Sequence, residues 1–154
     1  MVASYAFRHA PGHLIRRAHQ VSVSLFVEET AAFGVTPVQF AILNSVMDAP
    51  GIDQITLAGM VAFDAATIGS VIGRLEKKGW LRREAAVADR RRKRLWLTDE
   101  GQAAILAMQQ SVEAVQQRIL APLSPDERET FVKLLRKLVD HSVASHAETA
   151  AIKT

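Results

Sequence analysis

The sequence predicts a mainly α-helical fold with one small β-hairpin, and three observations support this prediction. Six segments carry apolar residues at spacings of three and four, which is the period of one face of an α-helix. Several of these segments begin with residues that cap helix N-termini and end at a glycine. Between the fourth and the fifth of these segments the pattern changes to two short runs, residues 80–84 and 94–98, that read as strands with polar, basic residues between them.

The composition is that of a globular protein and excludes several other classes. The chain has 154 residues, of which 49% are hydrophobic and 23% charged, which suits one domain or two small lobes. It contains no cysteine, which excludes disulfides and thiolate metal ligands and is consistent with a reducing cytoplasm. No apolar run is long enough to cross a bilayer, and the first residues lack the pattern of a signal peptide. We expect a cytoplasmic protein without a membrane partner.

The first two helices are marked by periodicity and by their ends. Apolar residues recur at helical spacing over residues 13–30, which predicts a first helix that ends near Gly34. Thr36 is placed to cap a second helix, Pro37 suits its first position, and Gln39 completes a capping box.

Two aspartates introduce the next two helices. Asp53 is placed to cap a short third helix and Asp64 to cap a fourth, which runs from Ala65 to about Lys78. Gly79 is expected to end the fourth helix in the left-handed conformation. Gly69 and Gly73, four apart within it, each cost about 1 kcal/mol relative to alanine. Either another backbone, of protein or DNA, approaches them closely, or tertiary packing simply tolerates them.

A hairpin and two long helices complete the order of elements. Residues 80–84 and 94–98 read as strands that flank a cationic tip. Thr98 and two acids open a fifth helix, and a capping box at 124–127 opens a sixth, whose end is expected to fray from His146. The fifth helix carries a narrow apolar seam, which predicts a partner helix. That seam consists of Ile105, Met108, Val112, Val115 and Ile119.

The basic residues are concentrated in one short segment. Residues 74–94 include ten bases and three acids, a net charge of +7, whereas the rest of the chain carries −4. Such a cluster is typical of a surface that binds a polyanion, although a solvated loop is the alternative. Two short helices followed by a basic hairpin indicate a winged helix-turn-helix, whose second helix fits the DNA major groove.

Two motifs resemble the MarR family of multiple-antibiotic-resistance-type transcriptional regulators. They are Arg74-Leu75-Glu76-Lys77-Lys78-Gly79, and Asp89-Arg90-Arg91 leading to Leu95-x-Leu97-Thr98-x-x-Gly101. The resemblance implies a homodimer that binds a pseudo-palindromic operator in double-stranded DNA. Residues 1–35 and 98–154 would form the helical dimerisation lobe, and residues 36–97 the winged helix-turn-helix DNA-binding lobe.

The resemblance also implies which residues contact DNA. In such proteins a wing aspartate orients an arginine that enters the minor groove, and Asp89 and Arg91 match this pair. Thr67 matches a position that commonly contacts DNA. Ser70 stands where many relatives have a long polar side chain, which predicts weaker or different base readout. The predicted DNA contacts are Thr67, Ser70, Arg74, Asp89, Arg90, Arg91, Arg92 and Lys93.

The first two helices are most similar to those of relatives that respond to aromatic carboxylates. An arginine binds a carboxylate through its donor fork, a histidine suits a phenol, and apolar side chains would form the walls. The alternative is that these bases are solvated or pair with acids of a second subunit. The predicted effector contacts are His13, Arg16, Arg17, His19, Phe40, Leu43 and Met47.

Other functions have less support. The sequence has no nucleophile elbow, P-loop or zinc-protease motif, so we expect no enzyme and no cofactor. His9 and His13 have metal-ligand spacing, but Pro11 lies between them and neither cysteine nor a paired carboxylate accompanies them, so no metal is expected. The favoured function is a DNA-binding repressor released by a small aromatic carboxylate or phenol. The alternative is a dimeric helical adaptor whose basic loop binds acidic partners, which salt dependence and sequence preference would distinguish.

Overall fold

The computed structural model describes residues 6–61 and 65–151, and for Ala65 and residues 142–151 it describes the backbone alone. These ranges fall into two compact units, one up to Gln116 and one from Gln117 onward. None of the described helices is long and apolar enough to cross a membrane. The elements in the described ranges are α1 (Pro11–Glu29), α2 (Pro37–Asp48), α3 (Gln54–Met60), α4 (Ala65–Lys77), β1 (Leu81–Ala85), β2 (Lys93–Leu97), α5 (Asp99–Leu120) and α6 (Pro125–Ala151).

The predicted caps of α2 and α3 are confirmed. Thr36 Oγ1 accepts a hydrogen bond from the N–H of Gln39 at 3.2 Å, and Gln39 Oε1 accepts one from the N–H of Thr36 at 3.0 Å. Asp53 Oδ1 accepts hydrogen bonds from the N–H groups of Ile55 and Thr56, both at 3.1 Å. These contacts satisfy amides that lack partners within the helix. The predicted cap Asp64 lies outside the described residues.

The hairpin forms as predicted, with both strands displaced by one residue toward its loop. β1 and β2 are antiparallel and pair Leu81 with Leu97 and Ala85 with Lys93. Gly79 ends α4 with φ +77°, as expected, and the N–H of Trp80 donates to Leu75 at 3.0 Å. Trp80 therefore completes the last turn of α4 rather than starting the strand.

The core of the first unit lies between α2, α3, α4, the hairpin and α5. Three seam residues of α5 (Ile105, Met108 and Val115) are buried within the chain itself. The chain's own residues therefore supply the cover that the apolar seam predicted at these three positions. Fully buried aliphatic side chains fill the core: Ile42, Leu43, Val46, Leu57, Ile68, Ile72, Leu75 and Leu95.

The second unit consists mainly of α6. Ser124 and Glu127 form the predicted capping box, in which Ser124 N–H donates to Glu127 Oε2 at 2.8 Å. The helix is continuous to Ala151, whereas fraying was predicted from His146 to Thr154; residues 152–154 lie outside the described ranges. Adding a residue to an existing helix is inexpensive, and alanine and glutamate, which are frequent in this stretch, favour helix.

Candidate nucleic-acid interface

Helix α4 has one buried face and one exposed face. Ile68, Ile72 and Leu75 are fully buried, so the opposite side of the helix faces solvent. In the first turns this exposed side carries small residues, which allow a close approach to another surface. In the last turns it carries bases. The exposed residues are Ala66, Thr67, Ser70, Arg74 and Lys77.

The two glycines of α4 have different surroundings. A Cβ atom at Gly69 would lie 3.3 Å from Nε2 of Gln54, the first residue of α3. A Cβ atom at Gly73 would meet no described atom within 4 Å. The neighbour of Gly69 is thus the end of a flexible side chain and not a backbone, so this contact favours a glycine there without requiring one. At Gly73 nothing in the described part of the chain requires a glycine.

The hairpin is attached to α3 through Asp53. The Asp53 carboxylate lies 3.8 Å from the Arg92 guanidinium, and the Asp53 backbone forms a bridge with Arg94 of β2. The pKa of Asp53 lies below its usual value, mainly because the Thr56 hydroxyl donates a 2.6 Å hydrogen bond to the carboxylate. The Thr56 N–H lowers this pKa further, burial raises it, and the charge of Arg92 and the Ile55 N–H lower it by smaller amounts. One carboxylate thus caps α3 and holds the wing beside it.

A second link joins the hairpin to α4. Glu76 of α4 accepts a hydrogen bond from the Arg83 N–H at 3.2 Å and lies 2.5 Å from the Arg83 guanidinium. β1 is therefore held against the last turn of the exposed helix by both backbone and side chain. This role of Glu76 was not predicted from the sequence, because the contact crosses from α4 to β1 and so follows the period of no single helix or strand.

The hairpin loop has its own internal order. Asp89 Oδ1 accepts a hydrogen bond from the Arg91 N–H at 2.9 Å, and the Arg92 N–H donates to the Asp89 carbonyl at 3.0 Å. The expected orienting contact from Asp89 to Arg91 thus involves the Arg91 backbone. The side chains of residues 87–94 are exposed.

The ten bases of residues 74–94 fall into two groups. Lys78, Arg82, Arg83 and Arg92 each contact an acid or backbone carbonyls of the same chain, with Glu84 as the partner of Arg82. The other six have no ion-pair partner among the described residues. These six, which we call the open bases, are Arg74, Lys77, Arg90, Arg91, Lys93 and Arg94.

Only two of the predicted effector contacts line a common cleft. Phe40 and Met47 line a cleft of about 240 Å³ between α2 and α5, whereas Leu43 is fully buried in the core. His13 is half-buried with its ring centroid 4.4 Å from that of Phe7, and the exposed Arg16, Arg17 and His19 lie on α1. None of these four α1 residues lines the cleft in the described part of a single chain. The other residues that line the cleft were not predicted from the sequence; they are Asn44, Ile105, Leu106, Gln109, Val112 and Glu113.

Comparisons with known proteins bear on this arrangement. A model of the MarR family matches residues 35–93. The transcriptional regulator HosA of Escherichia coli is 32% identical over 135 residues, which cover 88% of this chain and 98% of HosA. The HTH-type transcriptional repressor NicR of Pseudomonas putida is 30% identical over 129 residues, which cover 84% of this chain and 82% of NicR.

A solved structure extends the likeness to three dimensions. BpsR of Bordetella bronchiseptica superposes with a TM-score of 0.82 at 34% identity, covering 88% of this chain and 97% of BpsR. That structure concerns the regulation of DNA binding of BpsR by 6-hydroxynicotinic acid. The fold and the order of elements described above are therefore shared with a protein whose DNA binding responds to an aromatic acid.

Proposed function

This chain belongs to the MarR family of transcriptional regulators, and we propose that it is a homodimeric repressor released from its operator by a small aromatic acid. Residues 36–97 would bind DNA, and residues 1–35 and 98–154 would form the dimerisation lobe. A protein with this target acts in the cytoplasm. The proposal has three parts, which concern DNA, the second subunit and the effector.

The open bases carry the DNA-binding part of the proposal. Six cations lie within 21 residues of sequence and have no ion-pair partner among the described residues, so their charge is available to a polyanion. Phosphate is the natural counterpart of such a group, because each contact releases a condensed counterion from DNA. In the proposed complex Arg90 and Arg91 reach the flanking minor groove or backbone.

The exposed side of α4 would contact the base edges in the major groove. Thr67 and Ser70 are short enough to let the helix approach base edges, and Arg74, one turn further along, would contact the DNA phosphate backbone. Asp89 would act on the Arg91 backbone rather than on DNA. Arg92 is paired with Asp53 and would mainly hold the wing in place. Lys93, at the loop end of β2, would contribute charge without base specificity.

Fluorescence anisotropy tests the DNA-binding part. A labelled duplex from upstream of the protein's own gene is titrated at two salt concentrations, with an unrelated duplex as control. We expect preferential binding whose log affinity falls by about 0.9 per neutralised phosphate for each log unit of salt. Equal binding of both duplexes would contradict operator recognition. Salt-insensitive binding, or binding to acidic proteins alone, would favour an adaptor role.

An exposed apolar face on α6 supports the proposed homodimer. Leu134, Leu138 and Val139 are between 55% and 60% exposed, and Val132 and Leu135 are also exposed. A face of this kind is costly in water unless a partner covers it. We expect sedimentation velocity to show a dimer, and Leu138→Lys to shift it toward monomer. The surface variant Lys137→Ala serves as the control, and a monomeric wild-type chain would contradict this part.

The effector part rests on the chemistry of α1 and on the cleft between α2 and α5. In a dimer, arginine and histidine of α1 would bind the carboxylate, and Phe40 and Met47 would contact the ring. The likeness to BpsR suggests 6-hydroxynicotinic acid as the first compound to test, followed by salicylate and benzoate. We expect one acid to raise the Kd for the operator, whereas a neutral amide analogue should not.

Arg17→Ala tests whether Arg17 is the residue that binds the effector carboxylate. Arg17 is exposed on α1, whereas the open bases belong to α4 and the hairpin, so its loss should weaken the effector response and leave operator affinity nearly unchanged. Anisotropy with increasing acid gives the effector dose–response for wild type, Arg17→Ala and Arg16→Ala. An unchanged dose–response for Arg17→Ala would transfer the role to Arg16 or His19.

A further inference from the structure

The C-terminal end of α4 is the point where the exposed helix is fastened to the rest of its unit. Lys78, directly after the helix, donates hydrogen bonds from Nζ to the carbonyls of Phe33 and Gly34, both at 2.9 Å. These carbonyls lie at the corner between α1 and α2, 44 and 45 residues away in sequence. The same ammonium sits 4.1 Å from the centroid of the Trp80 ring. One side chain therefore joins α4 to the end of α1.

The corner that receives Lys78 is itself well defined. A 3₁₀ turn at Ala31–Phe33 follows α1, and Gly34 ends it in the left-handed conformation with φ +56°. Thr30 is buried and its hydroxyl donates to the Phe26 carbonyl at 2.7 Å. The carbonyls of Phe33 and Gly34 are thus presented by a fixed turn, and a displacement of α1 would carry them along.

The next two residues fasten the same end of α4 to α5. Thr98, which caps α5, donates a hydrogen bond from Oγ1 to the Gly79 carbonyl at 2.5 Å, and its N–H donates to the Trp80 carbonyl at 3.1 Å. Gly101 packs so closely on the Trp80 carbonyl that any Cβ atom there would overlap it. Residues 78–80 therefore contact both the α1–α2 corner and the start of α5.

We propose that Lys78 is a positioning residue that couples the orientation of α4 to α1. The inference rests on the proposed function, in which α1 and α5 belong to the dimerisation lobe and α4 reads DNA. The ammonium is engaged by two carbonyls and an aromatic face, so it is not available to phosphate as the open bases are. Its effect on DNA binding would pass through the spacing of the two α4 helices in the dimer, which must match successive major grooves.

Distance measurement between the two subunits tests this directly. The chain has no cysteine, so Val87→Cys on the wing, where the side chain is fully exposed, gives a single spin-label site in each subunit. Pulsed electron–electron double resonance on the spin-labelled dimer then reports the distribution of distances between the two wings. We expect Lys78→Met to broaden or shift this distribution, and Lys78→Arg, which keeps donors for two carbonyls, to restore it.

Lys77→Met is the matched control for this experiment. It removes the same charge from the neighbouring residue, which is one of the open bases. We expect it to leave the distance distribution unchanged but to weaken operator binding and to reduce the salt slope by about 1. Lys78→Met should leave the salt slope unchanged, because its ammonium is bound within the chain.

A second readout uses the effector. The ratio of operator Kd with and without 6-hydroxynicotinic acid, or whichever panel acid releases DNA, should fall roughly 2- to 30-fold in Lys78→Met. In Lys77→Met the ratio should stay at the wild-type value while both dissociation constants rise. Thermal unfolding of each variant by circular dichroism establishes that the folded protein is compared.

The outcomes separate the inference from the function on which it rests. A wild-type distance distribution in Lys78→Met would overturn the coupling role and leave the proposed regulator intact. A reduced salt slope in Lys78→Met would make Lys78 another phosphate contact and would also overturn it. If sedimentation velocity of the labelled Val87→Cys protein shows a monomer and no dipolar signal is seen, no dimer forms, and both proposals fail.

Discussion

The open bases differ from the other four bases of residues 74–94, which contact acids or carbonyls of the same chain and which we call the tied bases: Lys78, Arg82, Arg83 and Arg92. Both groups are lysines and arginines of one stretch of sequence, yet their contacts differ. Arg83 and Arg92 hold the hairpin against α4 and α3 through Glu76 and Asp53. Arg91, between them in sequence, is directed by its backbone contact with Asp89, and its side chain has no ion-pair partner in the described ranges. The comparison shows that charge density alone does not identify a binding surface, because part of the charge shapes that surface.

This difference also explains why the hairpin can serve as a firm projection. Two strands alone are marginally stable in water. Here ion pairs reach both neighbouring helices, and the Gly51 N–H donates to the Leu95 carbonyl at 2.9 Å, adding a backbone link to β2. A wing held at three points presents its remaining cations in a defined place, and this lowers the entropic cost of binding.

The largest expected effect is the loss of operator affinity in Arg91→Ala. An open guanidinium in the groove or on a phosphate contributes about 1–3 kcal/mol, so Kd should rise accordingly. Anisotropy at fixed salt measures the change, and sedimentation shows whether the dimer persists. If a folded, dimeric Arg91→Ala binds the operator as tightly as wild type, the wing does not contribute in the proposed manner.

Local signals in the sequence were sufficient for most elements of the fold. The caps at Thr36, Asp53 and Ser124 act within three residues, so their residue types alone predicted them. Gly79 predicted the end of α4 for the same reason. The strand boundaries were displaced because they depend on what Trp80 and its neighbours contact outside the strand.

The second prediction concerns the two glycines of α4. Gly73→Ala should raise the free energy of unfolding by about 1 kcal/mol, because alanine favours helix and no described atom obstructs its methyl group. Gly69→Ala should raise the free energy of unfolding by less, since its Cβ atom would lie only 3.3 Å from Nε2 of Gln54. Urea unfolding measures both variants. If Gly69→Ala and Gly73→Ala stabilise the protein equally, Gln54 moves aside at no cost and α3 does not constrain α4 at position 69.

The site was less predictable than the fold because its contacts join distant residues. Nothing in the sequence indicated that Lys78 contacts carbonyls 44 residues away, or that Glu76 neutralises Arg83 on the following strand. Leu43 is a residue that the sequence pattern placed at the effector site. It shares the α2 face of Phe40 and Met47 in the sequence pattern, but the tertiary packing buries it completely.

The third prediction tests the tied bases directly. Arg83→Ala should lower the free energy of unfolding by about 0.2–1 kcal/mol, the usual range for a partly exposed ion pair. The salt slope of operator binding should be unchanged, because Glu76 already neutralises this guanidinium. Urea unfolding and anisotropy at two salt concentrations give both quantities. A fall in salt slope as large as that of Arg91→Ala would remove the distinction between the two groups.

The smallest expected effect is a pH dependence centred on Asp53. Its folded pKa lies below the usual carboxyl value, so its charge stabilises the protein above that value, and the contribution is lost as pH falls through the folded pKa. Asp53→Asn keeps a good cap without a charge, so the stability difference between wild type and variant, about 0.3 kcal/mol near neutrality, should vanish at low pH. Urea unfolding between pH 3 and pH 6 measures this difference for both proteins. A difference that stays constant over that interval would mean that the hydrogen-bond geometry at the start of α3, and not the charge facing Arg92, holds the wing.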